Sequence, residues 1–384
     1  MEGILFSSSS RPSTPGSNDE NIYQPSILGT RFRLRGSFPN FADYTHEFMR
    51  AYSETSSAVS SAPVDVLVER EPGHAAEGGH TRDTVGVHAS KHPHWSFAAD
   101  VLAEEPRTVR WRGRGVTVRR ESDMSWHVGA ELGSDRRLVG EAVFHLLRSI
   151  ALYRRDTAAG PLVHASGVLD RQGRALLFSG SVLAGKTTLL TESVVGYGAT
   201  PLTNDRALIR FGTGADVLTW PSYASFCEGT ILNYPVLARA ADAFEHEGNP
   251  FRTIRHDRPL VAGFGKDTKR IYPMSWFTDA TGASYAVSAP LGTLVITRLV
   301  PGTGRSELRE LDLETETDRG RVIDLFTREC FDQSEPSFLP WHGMPLPRSP
   351  WTADRIVSGL AASGVRVLAL EADPGDLAVL EEIL

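Results

Sequence analysis

The sequence predicts a layered α/β protein built from two units, and three observations predict it. Strand-like and helix-like runs interleave after residue 160. Short β-like runs separated by turn clusters fill much of the stretch before 130, and one strong helical pattern stands between the two regions. A chain of 384 residues is also long for one core, so two domains are the natural expectation.

Residues 1–25 are rich in Ser, Pro, Asn and Gly with little to bury, and read as a disordered tail. Residues 26–157 read as a smaller mixed α/β domain, with strands at RFRLRGSF and VDVLVER and a hairpin at TVRWRGRGVTVRR. The stretch Glu71 to Lys91 reads as loop. Ser134 or Asp135 can cap a helix whose apolar positions Leu138, Val139, Ala142, Val143, Leu146, Leu147 and Ile150 fall at helical spacing. The domain boundary is expected at Thr157 to Gly160.

Residues 158–384 then read as strand PLVHASGVL, turn DRQG, strand RALLFSG and a helix from Lys186 to Val195. A short apolar strand ends at Asp205, and ALIRF, GTGAD and VLTW follow as a hairpin. Further on come a strand pair at LGTLVITRL and SELREL, and a helix from Val322 to Cys330. A last helix from Ala353 to Ala362 ends at Gly364, before the strand VRVLAL.

Composition excludes several classes. With 40 basic against 47 acidic residues and a net charge of -7, no nucleic-acid backbone is expected as the main partner. Cys227 and Cys330 are far apart and form no CxxC pair, which points to a reducing cytoplasm. Glu2 and a very short apolar run argue against a signal peptide, and no apolar stretch is long enough for a membrane helix.

The chemistry is carried by Gly180, Ser181, Val182, Leu183, Ala184, Gly185, Lys186, Thr187 and Thr188, which match GxxxxGK[ST]. The apolar run Ala175 to Phe178 leads into it and a helix leaves it. In that context successive amides form an anion nest at a helix N-terminus. Lys186 is then expected to reach the β- and γ-phosphates of ATP, with Thr187 offering its hydroxyl to Mg²⁺.

Asp205 is the expected completing acid, holding Mg²⁺ or accepting a proton from the attacking hydroxyl; an Asx turn between strands is the structural alternative. The β-structure after it disfavours a compact kinase with an arginine lid, which expects a helix there. His164, one strand upstream, can bind the γ-phosphate, orient an acid or simply fill the core. Lys269 and Arg270, with Arg252, Arg255 and Arg258 before them, are candidate phosphate cations or a solvated face. His74, His80, His88, His92 and His94 are too loosely spaced for a zinc site. Trp95, Trp111 and Trp126 read as core or rim aromatics.

The run LVHASGVLDRQGRALLFSGSVLAGKTTLLTESVVGYGATPLTNDRALI resembles the C-terminal catalytic domain of bacterial HPr kinase/phosphorylase. It resembles more closely the HPr-kinase-like proteins of bacterial peptide-modification and other biosynthetic gene clusters. The resemblance is specific over residues 160–212 and fainter at DTKRIYP and VRVLALEADPGDLAVLEEIL. It implies a fold of the phosphoenolpyruvate carboxykinase type, ATP with Mg²⁺, and phosphoryl transfer to a hydroxyl, often of serine. His164 matches the family's histidine at that place. The loop reads VLAG where the family has a Ser-Gly-containing run, the family's acidic pair is Asn204-Asp205 here, and no counterpart of the HPr-docking segment is visible.

The expectation is therefore a cytoplasmic ATP-dependent kinase acting on Ser or Thr of a peptide or protein, with the N-terminal domain recognising substrate. A small-molecule alcohol as acceptor and a non-catalytic ATP-binding sensor are the alternatives. No membrane partner is expected. The family's members often form homo-oligomers.

Overall fold

The first 131 residues contribute one eight-stranded sheet. The computed structural model describes residues 23–38, 41–52, 62–71, 83–88, 97–131, 133–245, 259–331, 341–345 and 347–384. The strands are β1 (Ser26–Ile27), β2 (Thr30–Gly36), β3 (Val64–Glu71), β4 (Asp83–His88), β5 (Phe97–Glu104), β6 (Arg107–Trp111), β7 (Val116–Ser122) and β8 (Ser125–Glu131). They lie in the order β1-β2-β3-β8-β7-β6-β5-β4, with β2, β3 and β8 parallel and the other pairs antiparallel.

Alternation decides which face is covered. In β2, Phe32 and Leu34 point into the core while Arg31, Arg33 and Arg35 stay on the open face. Helices α1 (Phe41–Met49) and α2 (Arg136–Arg154) pack on the covered face through Tyr44, Phe48, Val139, Val143 and Leu147. Asp135 caps α2 by accepting from the Arg137 amide at 2.8 Å, as the sequence predicts.

Two expectations in this region change. The predicted tail lies outside the described residues up to 22, but its last three residues are built in: Tyr23 bridges Leu34, and the Pro25 carbonyl accepts from Phe32. The predicted loop from Glu71 to Lys91 contains β4, which pairs with β5. Glu71 ends β3, and residues 72–82 and 89–91, including His74 and His80, lie outside the described residues, as do His92, His94 and Trp95. Trp111 and Trp126 are buried in the core.

The second unit consists of β9 (Leu162–Leu169), β10 (Ala175–Ser179), α3 (Lys186–Val195), β11 (Thr200–Phe211), β12 (Ala215–Thr219), β13 (Ala224–Cys227), α4 (Glu228–Asn233), α5 (Pro235–Phe244), β14 (Lys269–Tyr272), α6 (Met274–Thr281), β15 (Ser288–Leu299), β16 (Ser306–Glu310), α7 (Glu316–Glu329), α8 (Ala353–Ala362) and β17 (Arg366–Ala372). Its main sheet runs β10-β9-β11-β12-β15-β17-β16, and a further parallel pairing of β10 with β15 closes the first five strands into a ring. Strands β13 and β14 pair separately.

The sheet is the middle of three layers. Leu176 and Phe178 of β10 face a core shared with α3, α4, α5 and α6, whereas Ala175 and Leu177 face the core of α7 and α8. The strand is buried on both faces, which is why it reads as a continuous apolar run. The architecture is mixed α/β, as expected.

Four details correct the sequence reading. Strand β11 runs unbroken through Asp205 instead of ending there. Strands β15 and β16 both form but do not pair; β17 lies between them. The apolar β15 and β17 take central places, and the polar β16 (SELRE) takes the edge. Helix α7 starts at Glu316 because Thr315 caps it, and its polar first turns hid that start. The closing segment, where the resemblance implies a strand and then a helix, ends in a 3-10 turn over Ala378–Glu382.

The expected boundary at Thr157 to Gly160 lies in the connection between α2 and β9, and side-chain packing crosses it. Leu162, Trp220, Trp341 and Met344 of the second unit join the core of the first. Among the described residues, no helix is long and apolar enough to cross a membrane. Both cysteines are free thiols.

Candidate active site

Strand β10 delivers the chain to Gly180 at the end of a central parallel strand, the place where α/β sheets carry their ligands. The loop from Gly180 to Gly185 folds against the end of β15. The Leu299 amide donates to the Ala184 carbonyl at 3.1 Å, and the Thr297 hydroxyl donates to the Ser179 carbonyl at 3.3 Å. Glycine is required at both ends of this loop. A Cβ on Gly180 would stand 2.7 Å from the Thr297 carbonyl oxygen. Gly185 has φ 94°, and a Cβ there would stand 2.3 Å from the Leu299 side chain. Leu183 also adopts a left-handed φ of 69°, an unfavourable state for a branched side chain.

Helix α3 begins at Lys186 with Gly185 as its N-cap, so the first-turn amides of Lys186, Thr187 and Thr188 have no acceptor within the helix and face the loop. Anions are favoured there. Lys186 is 8% exposed, and its ammonium donates to the carbonyls of Gly180 at 2.5 Å and Ser181 at 3.0 Å. Burial pulls its pKa down to about 8, against the opposing pull of Glu329 and Asp205.

Asp205 lies mid-strand on β11, opposite Ala165 of β9. Its carboxylate accepts from Arg206 Nη1 at 2.7 Å and lies 3.5 Å from His164 Nε2. Burial works against its charge, but Arg206, His164, Lys269 and Arg148 together hold its pKa down at about 2. It is therefore a carboxylate at any ordinary pH. The Asx-turn alternative falls away, because Asp205 sits within a paired strand.

His164 is three-sided. Nδ1 lies 2.7 Å from Glu329 Oε2, Nε2 faces Asp205, and the ring packs near Phe331 at 5.9 Å between centroids. Burial lowers its pKa below the usual imidazole value, and the hydrogen bond to Glu329 offsets part of that.

The two cations of the DTKRIYP segment separate because neighbours in a strand face opposite ways. Lys269 acts electrostatically on both Lys186 and Asp205. Arg270 does not belong with the phosphate cations expected from sequence. It is fully buried, with Nε 2.8 Å from Glu228 and Nη1 3.1 Å from Glu245. Its carboxylate partners occupy it in a structural ion network that joins β14 to the start of α4 and the end of α5. Arg252, Arg255 and Arg258 lie outside the described residues.

Three residues were missed by sequence reasoning. Glu329 is 165 positions from its partner His164 and carries no motif. Arg206 stands beside Asp205 and lies over the Phe331 ring at 4.3 Å. Arg148, from α2, stacks over Trp220 at 4.0 Å; burial and the nearby Arg206 lower its pKa to about 10. The only sequence signal for these was the Asp-Arg adjacency.

Lys186, Lys269, Arg206 and Arg148 thus all act on Asp205, and Glu329 acts on Lys186; the surplus of positive charge suits a polyanion. Among the described residues, no group of three or more His, Cys, Asp and Glu side chains is arranged to hold a metal ion alone. The candidate oxygen donors are the Thr187 hydroxyl, in the first turn of α3, and the Asp205 carboxylate, which acts electrostatically on Lys186. These are hard donors, too few for a protein-only cage, and they fit an Mg²⁺ ion whose other ligands are phosphates and water. Asn204, the neighbour of Asp205 on β11, is buried with neither side-chain polar atom bonded. Comparison with protein-family models and with curated proteins finds no match for this chain.

Proposed function

We propose that the chain is an ATP-dependent kinase that transfers the γ-phosphoryl group to a hydroxyl, foremost a Ser or Thr of a peptide or protein. The observation that carries this reading is convergence. A glycine-bounded loop at a helix N-terminus, a buried lysine, a second lysine from β14 and an ionised aspartate from β11 meet at one end of the sheet. The resemblance of residues 160–212 to HPr-kinase-like proteins supports the same reading and extends it to a fold of the phosphoenolpyruvate carboxykinase type.

In this reading the loop amides and Lys186 bind the β- and γ-phosphates, and Lys269 adds charge on the transferring group. Thr187 and Asp205 would hold Mg²⁺ directly or through water, and the ion would supply neutralisation of phosphate charge. Asp205 faces the acceptor and takes or orients its hydroxyl proton. Arg206, which pairs with Asp205, keeps that carboxylate ionised for the task.

The test is incubation with γ-labelled ATP and candidate peptides or cell metabolites, read by mass spectrometry. Labelled product on a Ser or Thr, lost in Lys186→Ala, supports the reading. Transfer undiminished by Lys186→Ala rejects the loop assignment, and nucleotide binding with no phosphorylated product from any source favours a sensor.

A further inference from the structure

Neighbouring side chains in a strand point to opposite faces, yet within β11 Arg206 Nη1 donates to Oδ2 of Asp205 at 2.7 Å. A long, flexible side chain keeps such a contact only where something holds it. Two rings hold this one. Arg206 Cζ lies 4.3 Å from the centre of the Phe331 ring and 5.5 Å from the centre of the Trp220 ring. Phe331 is fixed through its backbone, since its amide donates to the Leu162 carbonyl at 3.0 Å and its neighbour Cys330 bridges Val163.

Trp220 is fixed from two sides. Its amide donates to the Arg206 carbonyl at 3.4 Å, and its indole Nε1 donates to the Arg148 carbonyl of α2 at 3.3 Å. The Arg148 guanidinium also lies over the ring, 4.0 Å from its centre. The indole is fully buried in the core of the first unit, although it directly follows β12 of the second. One side chain therefore touches both the arginine beside Asp205 and a helix of the other unit.

We propose that Trp220 is a positioning residue that holds the Arg206 guanidinium and thereby fixes the direction in which the Asp205 carboxylate meets the acceptor hydroxyl. The proposal rests on the kinase reading above. An aromatic face attracts a guanidinium, and the attraction strengthens where water is excluded, as it is around this buried indole. An aliphatic side chain fills the space but offers the guanidinium no such face. Arg206 is then free to swing away from Oδ2, and the carboxylate loses a hydrogen bond that orients it. The nucleotide contacts are spared, because the Lys186 ammonium is held by the Gly180 and Ser181 carbonyls and not by this stack. The first unit thus forms part of the scaffold of the site through Arg148 of α2.

Two measurements test it. The first needs no acceptor. The arginines of the full chain are labelled with ¹³C and ¹⁵N, and the Arg206 signal is identified by its loss in Arg206→Lys. Its guanidinium should rotate slowly about the Nε–Cζ bond in the parent and freely in Trp220→Leu. Free rotation in the parent, or rotation equally slow in Trp220→Leu, overturns the proposal. The second follows transfer from γ-labelled ATP to a serine-peptide library. Trp220→Leu should lower kcat on the order of 10-fold with KM for ATP nearly unchanged, and Trp220→Phe, which keeps a ring face, should recover most of the loss. An unchanged kcat in folded Trp220→Leu, a loss confined to KM, or a phenylalanine variant no better than the leucine one overturns it. Should Trp220→Leu fail to fold, rotation of Arg206 in the parent and in Trp220→Phe decides: slow in both supports the proposal, and free in either overturns it. If Lys186→Ala transfers as well as the parent, the kinase reading fails instead, while the rotation measurement stands by itself.

Discussion

The Lys186 ammonium donates to the Gly180 carbonyl at 2.5 Å, so the loop's lysine rests on the residue that opens the loop. A bound polyphosphate would replace this carbonyl contact with a stronger, charged one.

Lys186 links binding to pH. Burial holds its pKa at about 8 in place of 10.5, and a nearby anion raises it again. Binding of Mg·ATP at about pH 8.5 should therefore take up on the order of 0.7 proton, and affinity should fall as pH rises further. Calorimetry in two buffers of different ionisation enthalpy reads this directly; no uptake would show that Lys186 does not meet the phosphates. For the free protein the sign is fixed too. Between pH 8 and 10.5 the unfolded chain binds more protons at this lysine, so stability contributed here rises with pH through that window.

Asp205→Asn should reduce phosphoryl transfer about 10²–10⁴-fold while the protein stays folded at neutral pH. The carboxylate's pKa is depressed from 3.8 to about 2, so its contribution to stability is present above the upper value and is lost as pH falls through the lower. Acid unfolding of the variant, followed by tryptophan fluorescence, should accordingly be less steep over that range. Equal turnover in variant and parent would remove Asp205 from the chemistry.

Arg270→Met should cost about 3–5 kcal/mol, because Glu228 is fully buried and loses its cation. Urea unfolding measures the loss. Under conditions where the variant is still folded, its Mg·ATP affinity should match the parent's; a selective loss of nucleotide binding would return Arg270 to the phosphate site.

Leu183→Gly should stabilise the free protein by up to about 1 kcal/mol, since glycine relieves the left-handed backbone at φ 69° but gains entropy when unfolded. A lower melting temperature in the variant would mean that the exposed leucine side chain makes a contact worth more than the strain.

Local patterns carried much of this fold. Asp135 as a cap, the helix from Lys186 to Val195, the helix from Ala353 to Ala362 and the strand-loop-helix around Gly180 were all legible, since each depends on neighbours within a turn or a strand. Strand β4 was not, because its turn-rich flanks masked a six-residue run. The partner of β15 was not legible either, for an edge and a centre are properties of a whole sheet.

By itself, then, the sequence determined a mixed α/β chain, a glycine-bounded loop entering a helix, and Lys186, Asp205 and His164 as residues to watch. Tertiary structure alone decided that Lys269 acts on Lys186 and Asp205 while Arg270 is locked between Glu228 and Glu245, and that Glu329 reaches His164. Alternation along β14 made the first division, and the docking of α7 on β9 made the second contact. Both depend on which surfaces bury against each other, and no short stretch of residues contains that information.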